Sequence, residues 1–269
     1  MKLKTNSPSL DFQTEKEKTI SSYPDDISWN KLSNEWMIHA FKNRYMYNFE
    51  SLGRPIIQTP VDIVAIQELI WEVKPDLIIE TGIAHGGSLI LSASMMALLD
   101  ICEAIEGETM FDPLNSKRKV LGIDIDIRDH NLSAIEAHPM ASRIQMIQGS
   151  SIASDIIKKV QDVAKDYKRI LVCLDSNHTH EHVLAELQAY APLTSLGSYC
   201  VVFDTIVEDM PAETFPNRPW EPENNPKTAV WEYLKTHPDF EIDKSIDNKL
   251  LISVAPNGYL KRVGLNNSK

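Results

Sequence analysis

Short apolar runs alternate with segments of helical spacing from residue 60 to residue 263. The apolar runs predict five strands, at residues 77–80, 119–126, 143–147, 170–175 and 199–204. The helical spacing predicts helices at residues 63–73, 88–99, 132–138, 152–166, 181–190 and 226–236. Continuous apolar strands that alternate with helices are typical of a parallel sheet with helices on both faces.

Two further strands are predicted at residues 240–247 and 250–263, joined by a tight turn at Asn248. A connection this short cannot cross over the sheet, so one of these strands must run antiparallel. The chain is therefore expected to form an α/β fold around a seven-stranded, mostly parallel sheet with an antiparallel C-terminal strand.

The N-terminal part of the chain differs from the rest. Residues 1–27 are polar and are expected to form a flexible or loosely docked arm, whereas residues 28–49 place aromatic side chains at helical spacing. The latter segment could pack on the main domain, or act as a cap or subunit contact near a site. We predict an N-terminal segment at residues 1–49 and the main domain at residues 50–269.

Charge and cysteine content limit the kinds of partner and the cellular compartment that fit this chain. The formal net charge is −11 and the isoelectric point is about 5.2. An acidic surface repels phosphate backbones, so nucleic acid is disfavoured as a partner. The three cysteines match no metal-ligand spacing and fit a reduced, cytoplasmic compartment. No signal peptide and no apolar run long enough for a membrane span are apparent.

Acidic residues stand at four of the five ends of the predicted parallel strands. These ends meet at one edge of a sheet, where ligands of such folds bind. The acids are Glu80, Asp124 together with Asp126, Asp175 and Asp204, and the remaining strand ends at Gly149-Ser150.

The first strand ends in the spacing Glu80-x-Gly82-x-x-x-Gly86, followed by Ser88. Glycines permit a sharp turn, and the next helix directs free N–H groups at the same place. The spacing is not that of a nicotinamide loop, and the acid would favour a cationic or amine-bearing ligand. A plain strand–helix turn is the alternative. Asp124, or else Asp126, is suited to bind the hydroxyls of a ribose.

A second polar group follows the later strands. Asp175 and Asp204 could together hold one hard cation such as Mg²⁺. The histidines after Asp175 could instead ligate a softer metal, or one of them could act as a base. Alternatively, Asp175 caps the next helix and the histidines are solvated.

Four runs, LIIETGIAHGGSLI, VLGIDIDIR, LDSNHTHEHV and GSYCVVFDTIVED, together resemble the cephalosporin hydroxylase family, which includes rhamnosyl O-methyltransferases, over roughly residues 50–263. The resemblance implies a Rossmann-like class I methyltransferase that uses S-adenosylmethionine. The site residues it implies are Glu80 and Gly82 at the methionine end, the turn at Gly86 and Ser88, Asp124 at the ribose, Ser150 near the adenine, Asp175 and Asp204 as metal ligands, and His178 as base. Thr205 stands where catechol methyltransferases have an asparagine ligand.

The expected activity is Mg²⁺-assisted methyl transfer to a hydroxyl of a sugar, such as a surface glycan, or of a secondary metabolite. Two alternatives remain at this point. One is an iron-dependent oxygenase that uses Asp175, His178 and His180. The other is a non-catalytic binding module. Trp220 and Trp36 could stack on the acceptor, residues 206–225 form a long loop, and the aromatic N-terminal stretch suggests a homo-oligomer.

Overall fold

The computed structural model describes residues 7–264. A seven-stranded sheet has the order β5-β4-β3-β6-β7-β9-β8, and a separate two-stranded ribbon is formed by β1 and β2. The strands are β1 (Phe49–Ser51), β2 (Arg54–Ile56), β3 (Leu77–Thr81), β4 (Lys119–Asp124), β5 (Ile144–Gln148), β6 (Ile170–Leu174), β7 (Tyr199–Val202), β8 (Phe240–Ile242) and β9 (Tyr259–Arg262). Neighbouring strands from β5 to β7 are parallel, and β9 is antiparallel to both β7 and β8.

Helices cover both faces of this sheet. They are α1 (Ser7–Ser22), α2 (Ile27–Lys42), α3 (Pro60–Val73), α4 (Gly87–Glu106), α5 (Asp129–Glu136), α6 (Ser154–Ala164), α7 (His180–Tyr190), α8 (Pro226–Leu234) and α9 (Lys244–Leu250). Alternate strand residues point to opposite layers. Ile78 joins the core beneath α3 and α4, whereas Leu77 and Ile79 join the core beneath α6, α7 and α8. The predicted α/β fold, with a seven-stranded and mostly parallel sheet between layers of helices, is confirmed.

The C-terminal hairpin was predicted incorrectly in one respect. Helix α9 separates β8 from β9, where the sequence indicated a strand through residue 247 and a tight turn at Asn248. Asp243 caps this helix, because its side chain accepts a hydrogen bond from the backbone N–H of Ser245. Ile246 and Leu250, one helical turn apart, are buried.

The N-terminal segment contains a helix that the sequence did not predict. Residues 7–22 form α1, which is exposed at residues 10–19 and contacts α9, so it agrees with the docked alternative for the arm; residues 1–6 of that prediction lie outside the described part. Helix α2 confirms the predicted helix in the aromatic segment. Its residues Met37 and Ala40 belong to the same core as α3 and α4. The division at residue 49 remains a prediction.

Helix α4 corrects the expectation that no segment is long and apolar enough to cross a membrane. Gly87–Glu106 meets that test by length and composition. The predicted helix ended at residue 99, whereas α4 continues to Glu106, so its apolar stretch is longer than the sequence indicated. Leu89, Ala93 and Met96 of α4 are fully buried in the protein core, and core helices pass the same test.

Candidate active site

The carboxyl ends of the parallel strands are level with one another and border one cleft. Thr81 at the end of β3 pairs with Ile123 of β4 and with Leu174 of β6. The cleft has a volume of about 760 Å³. Its lining includes the predicted residues Gly82, Ser88, Asp124, Asp126, Asp175, His178 and Asp204. The structure therefore brings the acidic strand ends together, as the sequence predicted.

The glycine turn after β3 lies directly against the end of β6. Gly82 has a φ of +87°, and a Cβ at this position would lie 2.0 Å from the carbonyl oxygen of Asp175. Gly86 has a φ of +83°, and a Cβ there would lie 2.4 Å from Ile135 Cδ1. Only glycine combines this backbone conformation with so close an approach. The turn and the polar residues after β6 consequently form one continuous wall of the cleft.

The Asp124 carboxylate holds the same turn from the other side. Its Oδ2 accepts hydrogen bonds from the backbone N–H groups of Ile83 at 2.8 Å and Ala84 at 3.2 Å, and its Oδ1 accepts one from Asp126 N at 3.0 Å. The Asp126 side chain is 70% exposed and lies 3.8 Å from Arg128. Asp124 is thus the more firmly held of the two ribose candidates.

Ser150 follows β5 and is half-buried. Its carbonyl accepts a hydrogen bond from Ala153 N at 2.9 Å, and the residue is not among those that line the described cleft. Its proximity to an adenine remains a prediction.

Glu80 lies beneath the turn, in a small cavity that Ser88, Ser92 and Asp175 also line. The side chain is 4% exposed, and its Oε1 accepts a hydrogen bond from Ser92 Oγ at 2.5 Å. Burial raises the pKa of the Glu80 carboxyl above its usual range. A cationic group bound in this cavity would favour the charged form of Glu80.

Asp175, His178 and Asp204 form a group that could hold a metal ion. One potential ligand atom from each lies within 4.8 Å of the other two. His178 Nε2 is 3.3 Å from Asp204 Oδ2. Burial and the charge of Asp204 raise the pKa of Asp175 well above its usual range. Two half-buried carboxylates that face each other suit a divalent cation with a preference for oxygen ligands.

Thr205 does not belong to this group. It is fully buried, and its hydroxyl donates a hydrogen bond to the carbonyl of Pro256 at 2.7 Å. Its predicted role as a metal ligand is therefore not supported by the geometry. The short threonine side chain places its hydroxyl at the Pro256 carbonyl, whereas the asparagine of catechol methyltransferases has a longer side chain.

The other histidines face away from the group. His180 Nδ1 is 2.8 Å from Thr228 Oγ1, and His180 Nε2 is 3.2 Å from Glu232 Oε2, so this side chain bridges α7 to α8. The structure does not assemble the alternative iron set of Asp175, His178 and His180. His182 contacts Ser151 and Ser176 at 3.0 and 3.2 Å.

Aromatic and cationic side chains also line the cleft. Trp220 packs edge-on against His178, with ring centroids 4.5 Å apart, and the Arg218 guanidinium lies 5.1 Å from the Trp220 ring. Phe215 also lines the cleft. Trp36 instead packs against Tyr45, with ring centroids 5.1 Å apart, and it is not among the lining residues.

Two contributors were missed from the sequence. Gln58, directly before α3, lines both the cleft and the small cavity. Arg54 of β2 donates hydrogen bonds to the carbonyl of His85 and, at 2.9 Å, to Asn131 Oδ1, and so supports the turn from outside. No motif marks either residue, because both lie outside the predicted strands and helices.

The strand order, with a site at the carboxyl ends of the parallel strands, defines a Rossmann-like α/β protein. A family model described as rhamnosyl O-methyltransferase/CmcI matches residues 43–263, and the chain belongs to this family.

Curated relatives agree with this membership, and solved structures agree with the fold. The rhamnosyl O-methyltransferase of Mycobacterium tuberculosis (strain ATCC 25618 / H37Rv) is 30% identical over 207 residues, which cover 75% of this chain and 73% of the relative. That of Mycobacterium leprae (strain TN) is 28% identical over 214 residues, covering 78% and 82%. A solved CmcI structure with Mg and SAM has a TM-score of 0.51 at 19% identity, covering 81% of this chain and 78% of that one. Apo CmcI gives 0.50 at 19% identity, covering 81% and 77%.

Proposed function

We propose that the protein is an S-adenosylmethionine-dependent, Mg²⁺-assisted O-methyltransferase that acts on a sugar hydroxyl. The observation that carries this proposal is the contact between the glycine turn and the end of β6. Because a Cβ on Gly82 would lie 2.0 Å from the carbonyl of Asp175, a ligand on the turn is adjacent to the group of Asp175, His178 and Asp204. The rhamnosyl O-methyltransferase relatives support the sugar acceptor, and a secondary metabolite remains the second candidate.

The residues divide into cofactor and acceptor sides. Glu80 and the turn would hold the methionine end, and Asp124 the ribose. The reaction breaks the S–CH₃ bond of the cofactor and forms an O–CH₃ bond on the acceptor, so the protein mainly has to orient the reactants. Asp175 and Asp204 would bind Mg²⁺, which lowers the pKa of a hydroxyl bound to it.

His178 would accept the proton of the acceptor hydroxyl. The residue lines the cleft, its Nε2 lies 3.3 Å from Asp204 Oδ2, and its ring packs against the Trp220 ring, so these two contacts would orient the imidazole. The Trp220 ring would contact the apolar face of a sugar. Arg218, which lies beside that ring, would contact its polar groups.

Methyl transfer from labelled cofactor to a rhamnosyl acceptor, with Mg²⁺ or with EDTA, tests the proposal. His178→Ala is expected to lower kcat by about 100-fold, the usual contribution of a general base. The Kd for S-adenosylhomocysteine should stay unchanged. His180→Ala is the matched control and should retain activity, because His180 faces α8.

Three outcomes would separate the alternatives. Cofactor binding without transfer to any tested sugar or metabolite would favour a non-catalytic binding module. Loss of Mg²⁺ dependence in His178→Ala would make His178 a ligand rather than a base. Equal loss of activity in the His178 and His180 variants would contradict the assignment.

We also propose a cytoplasmic location and self-association. The three cysteines are free, which fits a reducing compartment. Leu98, Ile105 and Trp71 of the neighbouring helices α3 and α4 are 51%, 72% and 55% exposed, which fits a subunit contact. Sedimentation velocity of the purified protein tests the oligomeric state.

A further inference from the structure

Gln58 lies beside the glycine turn that follows β3. It precedes Thr59, which caps α3, and it is only 4% exposed. Its side chain lines the small cavity together with Glu80, Gly82 and Ser88, and it also lines the larger cleft. Gln58 therefore stands where the two spaces meet.

The carboxamide oxygen of Gln58 is buried and accepts no hydrogen bond from any residue of the described range 7–264. Buried polar atoms are almost always paired in folded proteins, and leaving one unpaired costs about 1–3 kcal/mol. A glutamine retained at such a place, in contact with two open spaces, is typical of a group that pairs with a ligand.

The residues directly after Gln58 are held by buried hydrogen bonds. Thr59 Oγ1 donates to Asp62 Oδ2 at 2.6 Å, and Asp62 is fully buried. Asp62 in turn accepts hydrogen bonds from Ser253 Oγ at 2.6 Å and from Val254 N at 2.9 Å. The start of α3, directly after Gln58, is thereby joined to the loop between α9 and β9.

We propose that Gln58 binds the amino-acid end of S-adenosylmethionine, with its carboxamide oxygen accepting a hydrogen bond from the α-ammonium group beside Glu80. This inference rests on the proposed function. A carboxamide carries both an acceptor and donors, so its NH₂ group can also serve the α-carboxylate of the same zwitterion.

The neutral charge of Gln58 agrees with this assignment. Two acidic residues, Glu80 and Asp175, already line the small cavity. A third carboxylate would add repulsion, whereas a carboxamide adds an acceptor without adding charge. Gln58 would thus be specific for the amino acid rather than for the nucleoside.

Two ligands separate these parts of the cofactor. S-adenosylhomocysteine carries the amino-acid group, whereas 5′-methylthioadenosine has the nucleoside and the sulfur without it. Calorimetry on the full chain is expected to show about ten- to 100-fold weaker binding of S-adenosylhomocysteine to Gln58→Met, the effect of losing a hydrogen bond to a charged group. Binding of 5′-methylthioadenosine should change by less than about twofold.

Two variants control for the fold. Gln67→Met makes the same substitution on the exposed face of α3 and should leave both affinities unchanged. Gln58→Asn keeps a carboxamide one methylene further back, and it should show a smaller loss for S-adenosylhomocysteine only. It also tests the proposal if Gln58→Met does not fold.

Equal weakening of both ligands in the Gln58 variants, or no weakening of either, would overturn the assignment. If wild-type protein binds 5′-methylthioadenosine and S-adenosylhomocysteine equally well, the inference fails while the proposed function stands. If wild-type protein binds neither ligand, the proposed function fails and the role of Gln58 fails with it.

Discussion

Repulsion between the carboxylates of Asp175 and Asp204 should destabilise the folded protein in the absence of a metal ion and favour binding of one. Their potential ligand atoms lie within 4.8 Å. Two unit charges at this distance repel by roughly 3.5 kcal/mol at an effective dielectric constant of about 20. The Asp204 side chain is 26% exposed, so solvent screening reduces this value, and we expect about 1–2 kcal/mol.

Asp204→Asn tests this estimate. The amide keeps the shape and leaves an oxygen that can accept a hydrogen bond from His178. In EDTA the variant is expected to melt about 2–8 °C above wild type, because 1 kcal/mol corresponds to roughly 2–4 °C for a chain of this size. In Mg²⁺ the order should reverse, because only the wild type gains stability from the bound ion.

Differential scanning fluorimetry in both buffers measures the effect. Asp126→Asn is the matched control, because Asp126 is an exposed acid at the same rim, and both of its melting temperatures should equal those of wild type. The reasoning is refuted if Asp204→Asn is destabilised in EDTA, or if Mg²⁺ stabilises it as much as wild type.

The same repulsion gives a pH dependence. Burial and Asp204 raise the pKa of Asp175 in the folded state, so the folded chain retains a proton that the unfolded chain has released. In EDTA the wild type should therefore lose stability as pH rises from about 4, the ordinary carboxyl pKa, through the raised folded value. Asp204→Asn should show a smaller loss over the same range in urea titrations.

Three further predictions concern the turn, the acceptor wall and the buried carboxylate. Gly82→Ala should weaken S-adenosylhomocysteine binding at least about tenfold by calorimetry, because a clash with the Asp175 backbone adds to a left-handed strain of about 1–2 kcal/mol. Gly53→Ala is the control: Gly53 has a φ of +85° and no atom within 4 Å of an added Cβ, so this variant should show the strain without the loss of binding. Trp220→Ala should raise the acceptor KM about tenfold and leave the cofactor KM unchanged in steady-state assays; an equal rise in both would contradict an acceptor role. Asp62→Ala should cost about 3 kcal/mol in urea unfolding, because Val254 N and three hydroxyls lose their acceptor, and a cost below about 1 kcal/mol would refute this account.

The sheet and its acidic rim were predictable because they depend on short-range pattern. Each parallel strand is a continuous apolar run, and parallel strands necessarily end at one edge. The acids at the ends of β3, β4, β6 and β7 were therefore expected to meet. The structure shows Asp124, Asp175 and Asp204 on one cleft, and Glu80 in the small cavity that Asp175 also lines.

Side-chain direction was not predictable in the same way. His178 and His180 are two residues apart, yet one faces Asp204 and the other faces α8, because α7 begins at His180. The Thr205 hydroxyl donates a hydrogen bond to the carbonyl of Pro256, which lies 51 residues later in the chain. Gln58 carried no signal, because its importance comes from cavities formed by other elements.

The position of β9 has a consequence for synthesis of the protein. This strand lies between β7 and β8, and Tyr259 at its start donates a hydrogen bond to Asp62, next to the segment that carries Gln58. A nascent chain on the ribosome thus lacks part of its sheet and a support of its ligand site until residues 259–262 have emerged. Cellular cofactor levels should accordingly influence the lifetime of the finished polypeptide rather than its folding during translation.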